Sequence, residues 1–394
     1  MSGPASATIA PVERLHALDS LRAFAMLLGI VLHAALSFIV TPFPWIVRDV
    51  SRAPGYDVLL GFIHGFRMPL FYFIAGFFAH LLWQRLGTRG FIAQRLQRIG
   101  LPFAAGMFTI LPLSAAIWQW AERYTAPNPY RPRIEDIAGT VPTMHLWFLE
   151  MLLILYAGAL LLAWAGNRLQ LAPFAARLDA GFDWLIRQPW KPLLLVPTTM
   201  LCLWNGPMLG EVDQAGMRFV PALRAVAYYA LFFALGWWMH RRRHLLDLLR
   251  GRLKTYFAVA LAAFLVLGAC HSLRLGPRHP DYLQMKFIAL AAASLYTWSM
   301  TFAITGLFLR VAAVHRAWVR YLADASYWWY LWHIPIVLWL QVLVAPLPLP
   351  SLLKLAFILA ATVAILLPSY HWLVRYTWVG RILNGPRLAL PQPA

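Results

Sequence analysis

Acidic side chains are scarce in this sequence, with 15 Asp and Glu against 34 Lys and Arg in 394 residues. Charged residues of both signs amount to only 12%, roughly half the share of a soluble domain. With 61% hydrophobic residues and a mean hydropathy of +0.62, no single aqueous core could hide so much apolar surface, which excludes a soluble enzyme and a disordered chain. Cysteine is almost missing. Cys202 and Cys270 each sit inside an apolar run, so a disulfide scaffold, a redox pair and a zinc site are all excluded by spacing. Residues 1–17 lack an apolar core and a cleavage site, and the first greasy segment is therefore expected to stay as a helix instead of being removed as a secretory signal. No internal repeat, low-complexity tract or soluble domain interrupts the pattern.

What the chain does have is long apolar runs, each able to cross ~30 Å of hydrocarbon as a helix. Ten are expected, at 19–40, 57–83, 99–121, 143–165, 192–210, 219–240, 255–275, 287–309, 325–345 and 352–374. The fifth is interrupted by Pro197, Asn205 and Pro207. Cations gather on alternate loops, most densely as Arg85, Arg89, Arg95 and Arg98 and as Arg241, Arg242, Arg243, Arg250, Arg252 and Lys254. By the positive-inside rule these loops face the cytoplasm, and both termini with them. The fold expected is an all-α polytopic membrane protein with a cytoplasmic segment 1–18, a transmembrane domain 19–374 and a cytoplasmic tail 375–394. The net charge of +19 is then topology and not a nucleic-acid footprint, which would need one basic soluble face.

Ionisable groups at membrane depth are costly and mark functional sites. In the first run Asp19, Arg22, Met26, Gly29 and His33 fall on one helical face. That face puts a cation at the inner surface and, ~16 Å further along, an imidazole suited to exchanging a proton near neutral pH. In the second run, FIHGFRMPLFYFIAGFFAH sets His64 and Arg67 one turn apart, and Pro69 removes a helical hydrogen bond near Gly65. Arg67 needs an anion, either from a substrate or from Glu150, the acidic residue well inside a run. Arg95 and Arg98 present two guanidinium forks at the inner surface, suited to a phosphate-rich ligand or to anionic lipid. MHLWFLEML begins the fourth run with His145 beside Trp147 and Phe148, which reads either as an aromatic belt or as the mouth of an acceptor site. DASYWWYLWHIPIV carries Asp324, a deep His333 and Pro335.

Taken together, LDSLRAFAMLLGIVLHA, MPLFYFIAGF, Arg95 and Arg98 ahead of Pro102, HLWFL at 145–149 and YLWHIPI at 330–336 resemble the acyltransferase-3 family of polytopic membrane acyltransferases. The resemblance spans nearly the whole chain, and within the family it is strongest to the members implied to succinylate osmoregulated periplasmic glucans. Ala75-Gly76 departs from the Ser-Gly of much of the family. The resemblance implies a multi-pass protein of a bacterial inner membrane, an essential His33, and an acyl-CoA donor on the inner side, succinyl-CoA favoured over acetyl-CoA. It also implies a periplasmic glucan acceptor on the outer side, with another surface polysaccharide as the alternative.

On that basis Arg22, Arg95, Arg98 and Gly29 are the expected donor-binding residues, Gly29 leaving room for the pantetheine arm. His33 is expected as general base on an acceptor hydroxyl, or less favourably as a transient acyl carrier. Arg67 and His64 join it as candidate catalytic groups, Arg67 for an oxyanion or for a succinyl carboxylate. His145, Trp147 and His333 are candidates for the acceptor. Membrane lipids are the other expected partner; no metal and no nucleic acid is expected, and oligomeric state is open. A transporter is the reading from another class, disfavoured by the absence of repeated halves.

Overall fold

The computed structural model describes residues 16–124, 143–206, 219–312 and 316–385, which are mostly helical with no strand among them. Helix α1 (His16–Ala35) runs on through a 3-10 turn, Leu36–Phe38. Helix α2 (Pro54–Arg95) is bent where Gly87 adopts φ +65°, a left-handed value that glycine takes without a Cβ penalty. A π-helical turn, Leu96–Gly100, leads into α3 (Leu101–Phe108) and α4 (Ile110–Tyr124). Then come α5 (Trp147–Arg168), α6 (Ala172–Arg187), the short α7 (Lys191–Leu194) and α8 (Val196–Leu203), and α9 (Leu223–Arg241). The chain continues as α10 (Leu253–Ser272), α11 (Tyr282–Val311), α12 (Ala317–Val344), α13 (Ser351–Ser369) and α14 (Trp378–Asn384).

Seven stretches of the described residues are long and apolar enough to cross a membrane, and one of them, Pro54–Arg123, is 70 residues long. It holds two of the expected runs, 57–83 and 99–121, because α2 continues through the basic segment between them. The expected runs at 192–210 and 219–240 are not among the seven. Prolines at 192 and 197 divide the first into α7 and α8, and Tyr, Trp, His and Arg dilute the hydropathy of α9, LRAVAYYALFFALGWWMHR. Residues 125–142, between the runs expected at 99–121 and 143–165, lie outside the described residues.

Helix α1 is the spine, packed against α12, α2, α11 and α13. Two small residues bring α2 and α9 into backbone contact: a Cβ on Gly76 would collide with the Phe233 carbonyl, and one on Gly236 with that of Phe73. Such close approach is how helices associate where hydrocarbon offers no hydrophobic drive. Polar groups released by proline are satisfied from neighbouring helices, as hydrocarbon demands. Pro69 has no N–H for the Gly65 carbonyl, which accepts instead from Thr297 Oγ1 at 2.7 Å. Pro335 likewise strands the Leu331 carbonyl, which accepts from His145 Nε2 at 3.0 Å.

The segment between α1 and α2 is strapped down. Val40 and Thr41 donate their N–H groups to the Asp57 carboxylate at 2.9 and 2.8 Å. Lys354 on α13 pairs with Asp49 at 2.7 Å, both side chains almost fully enclosed. On the opposite, arginine-rich side α6 is latched to the end of α9 by Arg241 on Asp179 at 2.7 Å and by Arg242 on Asp183.

Candidate active site

Where α1, α2, α12 and the turn before α5 meet, they line a small, partly open pocket. His33, Arg67, His145, His333, Tyr330 and Trp147 face it, together with Met26, Gly29, Met68, Phe71 and Phe148. These residues come from regions of sequence more than 300 positions apart, joined because α12 packs along α1.

The hydrogen bonds determine the protonation of each imidazole. His333 Nδ1 contacts the Tyr330 carbonyl at 2.7 Å and that of Trp329 at 3.1 Å. Carbonyls only accept, so Nδ1 carries the proton and neutral His333 presents Nε2 as a lone pair. That lone pair faces His33 Nδ1 at 3.0 Å, so His33 is the donor there. With its proton on Nδ1, neutral His33 keeps Nε2 as its basic nitrogen, and the Gly29 carbonyl also accepts a hydrogen bond from the ring. The same logic applied to His145, whose Nε2 donates to Leu331, leaves Nδ1 as a buried lone pair with no partner. A backbone carbonyl thus orients a first histidine, which orients a second, as the carboxylate does in a Ser-His-Asp triad.

His33 is also held from its other face. The Trp45 indole stacks on its ring at 6.0 Å between centroids and donates to Gln341 Oε1 at 2.9 Å. The Gln341 amide in turn donates to the carbonyls of His33 and Ala34 at 2.9 and 3.1 Å. Gln341 is 0% exposed, and all its contacts close the C-terminal end of α1.

Arg67 reaches the cavity across the missing side chain of Gly29: a Cβ there would collide with Arg67 Nη1. The room expected for a ligand's arm at Gly29 is filled by this guanidinium. Arg67 Nε is buried without a hydrogen-bond partner, as is the Tyr72 hydroxyl. Among the described residues Arg67 forms no ion pair, and its electrostatic neighbours are the phenols of Tyr229, Tyr330 and Tyr72. Pairing with Glu150 is not what satisfies it. Arg67 is thus a buried cation with an unused Nε donor, its guanidinium lying against Gly29, one turn before His33 on α1.

Four expected residues lie apart from this cavity. His64 is not among its lining residues although Arg67 is. Arg22, Arg95 and Arg98 form a second centre at the far end of α1, where Arg98 lies within electrostatic reach of both the others. Arg22 contacts Asp19 at 3.6 Å, and Arg95 is held over the Phe91 and Tyr156 rings. Two polar centres therefore lie at different points along one helix, an arginine cluster near its start and a histidine cluster near its end. Among the described residues no three His, Cys, Asp or Glu side chains converge as metal ligands.

A family model for the acyltransferase domain, acyltransferase-3, matches residues 15–371. The chain belongs to the acyltransferase-3 family. Its relatives include proteins named glucans biosynthesis protein C from Salmonella paratyphi B, Salmonella heidelberg and Salmonella dublin. Each is 32% identical over 151 residues, 37% of this chain, and the match spans 38% of the relative's length. No solved structure matches the chain.

Sequence reasoning missed Tyr330, Trp45 and Gln341. Tyr330 had a signal, since it precedes His333 by one turn and its hydroxyl donates to the His145 carbonyl at 2.6 Å. Trp45 and Gln341 had none: the one lies in a loop, the other near the end of an apolar run, and only the folded chain joins them.

Proposed function

We propose that this acyltransferase-3 protein moves an acyl group from an acyl-CoA on the cytoplasmic side to a hydroxyl of a periplasmic glucan, with succinyl the favoured acyl group. The observation that carries this reading is His33 held through Nδ1 by His333 and the Tyr330 carbonyl, lining one pocket with Arg67, whose Nε has no hydrogen-bond partner. His33 Nε2 takes the proton of the acceptor hydroxyl as the oxygen attacks the thioester carbonyl. The tetrahedral intermediate collapses, the C–S bond breaks, and His33 returns the proton to the departing sulfur. The Nδ1–H bond to His333 persists throughout and strengthens while His33 is cationic.

Arg67 pairs with the free carboxylate of a succinyl group, which would relieve its burial cost before reaction begins. With an acetyl donor the same guanidinium is left to the oxyanion alone. Arg22, Arg95 and Arg98 hold the phosphates of coenzyme A at the inner surface, with both chain termini on that side, and the pantetheine arm runs from them towards His33. His145, through its free Nδ1, and Trp147 meet the acceptor sugar. The name of the Salmonella relatives supports a glucan as the acceptor.

Proteoliposomes with glucan enclosed and radiolabelled succinyl-CoA outside test the sidedness and the donor together. Label on the enclosed glucan, greater from succinyl-CoA than from acetyl-CoA, is the expected result. Label that appears only when donor and acceptor share a compartment would refute transfer across the membrane. Equal rates from both donors, unchanged in Arg67→Gln, would remove the carboxylate role of Arg67.

A further inference from the structure

The family match ends at residue 371, yet the chain beyond it folds back onto the inner arginine centre. After the π-helical turn Tyr370–Val374, α14 docks with its Gly380 so close to the Val374 carbonyl that a Cβ would collide with it. Leu383 is buried, and Asn384 Nδ2 reaches the Tyr370 hydroxyl at 3.4 Å. Arg375 is stacked over the Tyr321 ring at 4.4 Å. The helix ends at Gly385, whose φ of +85° and ψ of 173° belong to a region open almost only to glycine. Its backbone lies flat on the guanidinium of Arg98: a Cβ there would collide with Nη2 and stand 2.8 Å from Cζ. From the other side Tyr327 donates to the Arg98 carbonyl at 2.7 Å, fixing the π-helical turn from which Arg98 projects. Turns of this kind recur at functional sites.

We infer that α14 and Gly385 are part of the donor site: they press the Arg98 guanidinium into the orientation that, with Arg22 and Arg95, receives a polyphosphate. Gly385 is a positioning residue, acting through Arg98. Any side chain at 385 must both leave its backbone conformation and displace the guanidinium, so the glycine is required twice. The geometry also makes the C-terminal segment a determinant of donor affinity in this chain, outside the region the family shares. This inference rests on the proposed donor reading of the three arginines.

The test is coenzyme A binding to the full chain in nanodiscs, with KM and kcat for acyl transfer, across Gly385→Ala, Arg98→Ala, their double variant, Arg98→Lys, and Arg22→Gln with Arg95→Gln. Gly385→Ala should weaken binding ~10-fold and raise KM for the donor equally at unchanged kcat. On the Arg98→Ala background it should add less than ~2-fold. Arg98→Lys, which keeps the charge and loses the planar face, should match Gly385→Ala and checks the same contact in a chain with its backbone intact. Gly385→Ala binding as wild type, or weakening binding equally with and without Arg98, would overturn the role of Gly385 while leaving the donor site standing. Undiminished binding by the Arg22 and Arg95 variant would overturn the donor site itself, and this inference with it.

Discussion

Replacing His333 by alanine tests the histidine relay in the place where it does its work. In the resting site the His33 Nδ1–H donates to His333 Nε2 at 3.0 Å, and His333 is only 2% exposed. When His33 takes the hydroxyl proton that bond becomes charge-assisted, and such bonds contribute about 1.5–3 kcal/mol. The neutral bond already contributes about 0.5–1.5 kcal/mol at rest, so only the gain of ~1–1.5 kcal/mol acts on kcat, and at 1.36 kcal/mol per factor of ten its loss should lower kcat by ~5- to 13-fold. KM for donor and acceptor should change little, since the bond gains its strength only as the proton moves. His333→Gln is the paired variant, because an amide oxygen can stand near the lost Nε2 and accept from His33. It should recover most of the loss. The assay is steady-state transfer of labelled acyl groups to glucan by purified protein in nanodiscs, with thermal unfolding checked for each variant. Wild-type kcat in His333→Ala would refute the relay, and so would equal losses in the alanine and glutamine variants of equal stability.

Other contacts lead to further expectations. Gln341→Leu removes three hydrogen bonds, and at ~1 kcal/mol each it should cost about 2–3 kcal/mol of stability, read as a lower Tm; an unchanged Tm would show that the brace on α1 carries no weight. Lys354→Met strands the enclosed Asp49 and should cost ~3–5 kcal/mol, with Asp49→Leu in the same chain restoring most of it; failure of the second substitution to help would place the damage elsewhere. The Arg242 guanidinium holds the Asp183 carboxyl below its ordinary value of 3.8. A carboxyl lowered in the folded state stabilises above its unfolded pKa and ceases to do so as pH falls through the folded value, so the latch on α6 should still be closed at about pH 4 and release only below 3.8. Hydrogen exchange in 172–187 measures this, and release already at pH 6 would contradict it.

Much of the site could be read from the sequence because helical periodicity reports one face of one helix. Arg22, Gly29 and His33 fell on a common stripe, and Arg67 stood out as an ionisable group beside a proline. What periodicity does not report is the neighbour across the interface. Gly29 looked like room for a ligand, whereas its missing Cβ admits Arg67. The two prolines were readable as breaks, but not the side chains that repair them, Thr297 for Gly65 and His145 for Leu331. The pairing of His33 with His333 spans 300 residues, and no local pattern could have specified it. The spans were legible where apolar residues run on unbroken. Prolines break the described part of the run expected at 192–210 into α7 and α8, and α2 continues through a basic segment expected to be a loop.

The central claim is acyl transfer with His33 as the base, and the most direct measurement is label reaching glucan from radiolabelled succinyl-CoA, with wild type and His33→Ala compared as folded proteins in nanodiscs. Transfer by wild type, lost by at least ~10²-fold in His33→Ala with coenzyme A still bound, is the expected result. Transfer by the alanine variant at a rate near that of wild type would contradict it.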